Sequence, residues 1–212
     1  MTTDGECCRV PFKKIEGGVT APKGFRAGAI SCGIKNPKIE RLDLALIVSD
    51  FPTVTDGLFT TNQVKAAPVK LSAQHLKNSD IRAIIANSGN ANACTGVRGI
   101  QDAKAMARGA AEALGVKMRQ VLVGSTGIIG MNMAIERITP KIPELAEKLS
   151  DADSGSDEAS RAIMTSDTKP KTYAIEVPCK GGSFRVGGIA KGAGMICPNM
   201  ATMLCFITTD AK

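Results

Sequence analysis

Apolar positions along this chain fall into short separated runs, and their spacing outlines a mixed fold. Residues 42–48 and 81–87 are rich in Leu, Ile, Val and Ala, which predicts two strands. Residues 100–114 are Ala-rich and end at Gly115, which predicts a helix packed closely through small side chains. Residues 121–123 form a short apolar run that feeds the loop Gly124-Ser125-Thr126-Gly127; a buried strand is expected there. A second helix is expected over 142–149, with Pro143 tolerated in its first turn, and a third over 158–164. Residues 173–186 read as a hairpin turning at Lys180-Gly181-Gly182, followed by strands at 187–190 and, buried, at 202–208. The polar stretch 150–158 is the one linker candidate, a loop between helices whose Ser156 or Asp157 caps the next helix. Strands and helices mixed in this order predict an α/β-type fold with layered sheets.

Composition narrows the class. At 212 residues, 43% hydrophobic and 22% charged, the chain can bury a core of one or two domains. With no Trp, one Tyr and six Phe, that core must be aliphatic. No apolar run approaches the roughly 18–20 residues of a membrane span, and the polar start Met1 to Cys8 has neither a basic segment nor an apolar one. A cytoplasmic protein with no membrane partner is expected. Seven cysteines at 7, 8, 32, 94, 179, 197 and 205 form no CxxC pair, so free thiols in a reducing compartment and no zinc site are expected. The net charge of +7 is dispersed, with no Lys/Arg run and few aromatics for base stacking, which argues against a nucleic-acid partner.

Three places could carry chemistry. Lys191-Gly192-Ala193-Gly194 leads to Ala201-Thr202, and a chain cut before Thr202 would have its nucleophile and its base in one residue. A Thr hydroxyl needs a neighbouring base near neutral pH, and a free α-amino group, with a reference pKa of about 7.7–8.0, can be that base. Taken alone, an Ala-Thr pair after a Gly-rich loop is usually only the entrance to a strand. Thr126 hydroxyl and Gly127 N–H could point at one oxygen, as an oxyanion requires, although a Ser-Thr-Gly turn by itself is usually only a turn. Lys191 in isolation reads as a solvated charge. His75, the only histidine, lies in a polar helical stretch and is expected to be exposed without a chemical role, which leaves catalytic triads little material. Cys94, lacking a histidine partner, reads as a small buried hydrophobe. Asn87, Asn90 and Asn92 are expected to satisfy loop backbone groups.

Six segments occur together in a telling order: Gly33-Ile34-Lys35; Leu58-Phe59-Thr60-Thr61-Asn62 with Ala66-Ala67-Pro68-Val69; Asn87 to Gly96; Ser125-Thr126-Gly127-Ile128-Ile129-Gly130; Met164-Thr165-Ser166-Asp167-Thr168-Lys169-Pro170-Lys171; and Lys191 to Leu204. From about Gly24 to its last residue the chain resembles the ornithine acetyltransferases, or bifunctional glutamate N-acetyltransferases, of arginine biosynthesis. The resemblance implies a layered sandwich of β-sheets between helices, in a self-processing family of N-terminal-nucleophile type. It implies cleavage between Ala201 and Thr202, with Thr202 as nucleophile and Thr126 and Gly127 as oxyanion hole. Thr165, Lys191 and Thr202 become substrate-binding, with Ser166 where the family often has a second Thr.

The implied reaction moves an acetyl group from N-acetylornithine to glutamate through acetyl-Thr202, without metal or cofactor; acetyl-CoA is a second donor if the enzyme is bifunctional. Residues 1–201 would be a first subunit and 202–212 the start of a second whose remainder is absent, the two assembling as a heterotetramer of two alpha and two beta chains from one precursor. Two alternatives stay open: a truncated first subunit acting only as partner of a separate second half, and a relative that uses the same processing for amide hydrolysis.

Overall fold

The computed structural model describes residues 11–77, 80–193 and 203–211. One sheet holds β2 (Phe25–Ile30), β3 (Leu44–Thr53), β4 (Ile81–Asn87) and β5 (Val121–Ser125) in that order; the other holds β1 (Lys13–Ile15), β6 (Lys171–Cys179), β7 (Gly182–Lys191) and β8 (Leu204–Thr209) in the order β1-β6-β7-β8. Every pairing is antiparallel except β4 with β5. A parallel pair needs a crossover, and the helix α2 (Gly96–Leu114) supplies it. Its left-handed cap is Gly115, as its position after the Ala-rich run predicts.

Alternation along the strands sorts large from small side chains. Leu44, Leu46, Val48, Ala83, Ile85, Val121 and Val123 face a helical layer built from α1 (Ala67–His75), α2, the short α3 (Ile135–Ile138) and α4 (Ile142–Glu147). The opposite faces of β2, β3 and β4 carry Ala27, Ala29, Ala45, Ile47 and Ala86, which pack with Ile189 of β7 and Phe206 of β8. Small residues on that face let the second sheet and the helix α5 (Asp153–Ala162) come close. The expected layered sandwich of sheets and helices is therefore present, with an aliphatic core. Among the described residues no helix is long and apolar enough to cross a membrane.

Four local expectations are corrected. The stretch 150–158 is not a loop with Ser156 or Asp157 as cap: α5 starts at Asp153 behind Ala152, and Ser156 is buried inside it. Its low intrinsic helix propensity is overridden by packing. Gly155 lies where a Cβ would come 2.4 Å from the Ala27 carbonyl oxygen, and Ser156 Oγ accepts from Val19 N–H at 2.8 Å. Second, β8 is not a buried strand. It lies at the sheet edge, and its positions alternate, with Thr208 buried and Ile207 67% exposed. Third, β3 begins at Leu44 rather than residue 42, because the buried Asp43 carboxylate accepts from Cys32 and Ile34 N–H at 2.7 Å and ties down the preceding loop. Fourth, His75 is buried, 4% exposed, and its Nδ1 donates to the Val121 carbonyl at 2.7 Å.

That histidine belongs to a device that closes the edge of the first sheet. Among the described residues no strand pairs with the outer side of β5, and an open row of backbone groups there would invite pairing with another chain. Helix α1 covers that side: Ser72 Oγ accepts from Val123 N–H and donates to the Val123 carbonyl, both at 2.8 Å, while His75 meets Val121. At the opposite edge Ser150 exchanges two backbone hydrogen bonds with Ala27, at 2.9 and 3.0 Å. Smaller differences are matters of extent: α2 begins at Gly96, α4 stops at Glu147, and the second arm of the hairpin runs unbroken to Lys191.

Candidate functional site

Strands β4 and β5 run side by side in the same direction, so both end at the same margin of the sheet, with Asn87 opposite Ser125. Their following loops are laced together. Thr126 N–H donates to Asn87 O at 3.0 Å, Ile128 N–H to Gly89 O at 3.3 Å, Ala91 N–H to Ile128 O at 2.9 Å and Gly130 N–H to Ala93 O at 2.9 Å. The asparagines behave as expected from sequence. Asn87 Nδ2 donates to the Ser88 and Asn90 carbonyls, Asn90 Nδ2 to those of Met131 and Asn132, and Asn92 Nδ2 to that of Gly99. Cys94 differs: it is exposed and takes a left-handed conformation, φ 59°, at the entry to α2. A loop held together by asparagine side chains leaves that thiol outside the core.

Gly127 has φ +136°, and a Cβ there would lie 2.4 Å from the Gly89 carbonyl carbon. Only glycine can stand so close to that backbone. Thr126, just before it, is 5% exposed, its position fixed by the Asn87 carbonyl.

The second sheet brings in the other half. Lys191 ends β7 and is buried, 3% exposed, contrary to its isolated reading as a solvated charge. Its Nζ donates to Thr126 Oγ1 at 3.1 Å and to Thr165 Oγ1 at 2.7 Å. Three residues 26 to 65 positions apart in sequence thus meet at one ammonium. Thr126 Oγ1 accepts from that ammonium, which leaves its own hydroxyl proton free to donate and strengthens it as a donor. Leu204, the first residue of β8, pairs with Lys191, and Leu204 and Phe206 lie over Gly124 of β5.

Behind this junction stands Asp167, whose side chain is fully buried. One carboxylate oxygen accepts from Gly192 N–H at 2.9 Å and forms a short ion pair with Lys171; the other accepts from Thr165 N–H at 3.2 Å. Burial opposes its ionisation, but Lys171 and the two backbone donors prevail and hold the carboxyl down at about 2. Burial pushes the Lys191 ammonium below the ordinary lysine value; Asp167 works against that shift and Lys171 adds to it. Sequence reasoning placed Asp167 and Lys171 within a motif without giving them a role. Their i, i+4 spacing was the only available signal.

Of the residues singled out from sequence, Thr126, Gly127, Thr165 and Lys191 therefore converge. Ala201 and Thr202 lie outside the described residues. Among the described residues no group of three or more His, Cys, Asp and Glu is arranged to hold a metal. Two surface hollows, about 360 Å³ beside Cys32 and Lys38 and about 460 Å³ between Arg108 and Pro143, touch none of the converging residues. Cys32 is no nucleophile in its hollow, since burial pushes its thiol up to about 12.

The model of the ArgJ family matches residues 26–212. The arginine biosynthesis bifunctional protein ArgJ of Dehalococcoides mccartyi is 48% identical over 197 residues, which cover 93% of this chain and 48% of that protein. The glutamate N-acetyltransferase of Methanocaldococcus jannaschii is 50% identical over 204 residues, 95% of this chain and 48% of its own length. The chain spans about half the length of the curated relatives it matches. Among solved structures, the crystal structure of ArgJ from Bacillus halodurans superposes with a TM-score of 0.85 at 39% identity, covering 90% of this chain and 98% of that one. Ornithine acetyltransferase from Mycobacterium tuberculosis, complexed with ornithine, gives 0.83 at 40% identity, with 89% and 98% covered.

Proposed function

The chain belongs to the ArgJ family, and from that premise we propose that it is the first part of a self-processing acetyltransferase of arginine biosynthesis, cut between Ala201 and Thr202 and moving acetyl from N-acetylornithine to glutamate. The observation that carries the reading is the buried Lys191 ammonium joining Thr126 and Thr165 beside the start of β8. Leu204 pairs with Lys191, and Thr202 precedes Leu204 by two positions in sequence. A further support is length: two solved chains are matched over 98% of themselves, while curated relatives are matched over 48%. That contrast is what division of a longer precursor would produce.

In this mechanism the Thr202 hydroxyl attacks the Ala201 carbonyl, the amide C–N bond breaks as the ester forms and frees the Thr202 amine, and water then hydrolyses the ester, releasing the Ala201 carboxylate and restoring the Thr202 hydroxyl. That amine then takes the proton of the Thr202 hydroxyl as the oxygen adds to the acetyl carbonyl of N-acetylornithine. Thr126 hydroxyl and Gly127 N–H receive the negative oxygen; losing one such donor typically slows a reaction about 100- to 1000-fold. Ornithine leaves with the proton on its amine, and Thr202 Oγ keeps the acetyl group. The glutamate amine next attacks that ester, giving N-acetylglutamate and restoring the hydroxyl. Lys191 suits a substrate carboxylate, as a buried cation forms strong charge-assisted hydrogen bonds. Acetyl-CoA would enter as a second donor to the same Thr202. No metal or prosthetic group takes part in these steps. The partner is the second half carried by the relatives, in a cytoplasmic assembly of two first and two second chains.

The test uses this chain produced together with that second half. Incubation with N-acetylornithine should leave one acetyl group on the peptide that begins at Thr202, detected by mass spectrometry. Thr202→Ala should stay uncut and unacetylated. Cleavage of that variant at the same bond, or turnover without an acetylated Thr202, would sink the mechanism.

A further inference from the structure

We propose that Asp167 is the positioning residue of this site: it fixes Thr165 and Gly192 on either side of Lys191 and supplies the counter-charge that keeps the Lys191 ammonium buried and protonated. The proposal rests on the acetyl-transfer reading for its kinetic consequence and on geometry alone for its placement.

A single fully buried carboxylate reaches three separate segments. It holds the Thr165 backbone from the loop before β6, Lys171 at the start of β6, and the Gly192 backbone just past the end of β7. Lys191 lies between two of these holds, bonded to Thr165 Oγ1 and followed directly by Gly192. Moving Asp167 would therefore move both the hydroxyl that receives Lys191 Nζ and the backbone that carries it. The electrostatic side follows from burial. An ammonium removed from water loses its protonated form unless a negative charge stands near. Among the described residues the charged groups that act on Lys191 are Asp167 and Lys171; its hydrogen-bond partners, Thr126 and Thr165, are neutral hydroxyls. The two charges act in opposite directions, so two substitutions separate the carboxylate's electrostatic role from mere packing.

Asp167→Asn keeps the shape and one acceptor but removes the charge. Lys171→Met removes the competing cation and leaves the carboxylate to Lys191. Each variant is made in the chain co-produced with its second half, and Lys191 Nζ is titrated by nitrogen-15 NMR. Asp167→Asn should lower the pH at which Lys191 loses its proton, and Lys171→Met should raise it. A purely structural Asp167 would move neither, or both in the same direction, and that result overturns the proposal. Acetyl transfer from N-acetylornithine by Asp167→Asn should fall about 100-fold in kcat at neutral pH, the scale of a misplaced catalytic group. A parent without transfer refutes the acetyltransferase reading while the NMR titration still tests Asp167. A parent with transfer and an Asp167→Asn variant that matches it refutes the role of Asp167 and leaves that reading standing. Should Asp167→Asn not fold, the upward shift in Lys171→Met decides, and a Lys191 titration that stays put or falls overturns the proposal.

Discussion

Ser72→Ala offers a sharp test of how the site is supported. One hydroxyl serves both the N–H and the carbonyl of Val123 at 2.8 Å, in a place 4% exposed. Alanine leaves two buried backbone groups without partners, each costing about 1–3 kcal/mol. The better helix propensity of Ala returns about 0.5 kcal/mol, so the net loss is about 2–5 kcal/mol. With a urea m-value of about 3 kcal/mol/M for a chain of this size, the unfolding midpoint followed by circular dichroism should fall by about 0.7–1.7 M. The local readout is hydrogen exchange at the Val123 amide, which should lose protection more than the amides of residues 44–48 of β3, which are flanked on both sides by β2 and β4. A midpoint shift below about 0.2 M with Val123 still protected would refute the claim that the hydroxyl stands in for a strand neighbour of Val123. The consequence for function is direct, because Thr126 follows β5 and takes its position from that strand's end.

Two further outcomes follow from the site. Gly127→Ala must place a Cβ 2.4 Å from backbone at φ +136°, a strain of about 1–3 kcal/mol, so loss of acetyl transfer should exceed the loss in urea stability; a fully active variant would remove Gly127 from the oxyanion hole. Asp167, held down at about 2 from an ordinary 3.8, contributes stability that is complete above the unfolded value and fades as pH falls through about 2. Acid unfolding of Asp167→Asn should accordingly be flatter than that of the parent between pH 4 and 2, and coincident curves would refute the assignment.

Much of the fold was legible because local rules and tertiary demands agree. The apolar runs at β4 and β5, the Ala-rich α2 with Gly115 behind it, and the hairpin turning near Gly181 all follow from propensity and turn chemistry. The expectations failed where a long-range partner reversed a local preference. The Ser/Asp/Gly stretch became α5 because Ala27 and Val19 offered it backbone partners. His75 went inside because a sheet edge needed a donor. Cys94 stayed outside because the asparagines around it serve the loop backbone first.

The sequence alone determined the layered α/β class, the aliphatic core and the family, because alternation, turn residues and ordered motifs are properties of neighbouring positions. It also named Thr126, Gly127, Thr165 and Lys191. Their meeting was decided by tertiary structure: a parallel strand pair brings the Thr126 loop to one margin, and the second sheet swings Lys191 across 65 positions to meet it. Only there does a surface-type lysine become a buried ammonium, and only there does Asp167 acquire a charge to answer, since burial and Coulomb interaction depend on distance in space rather than along the chain.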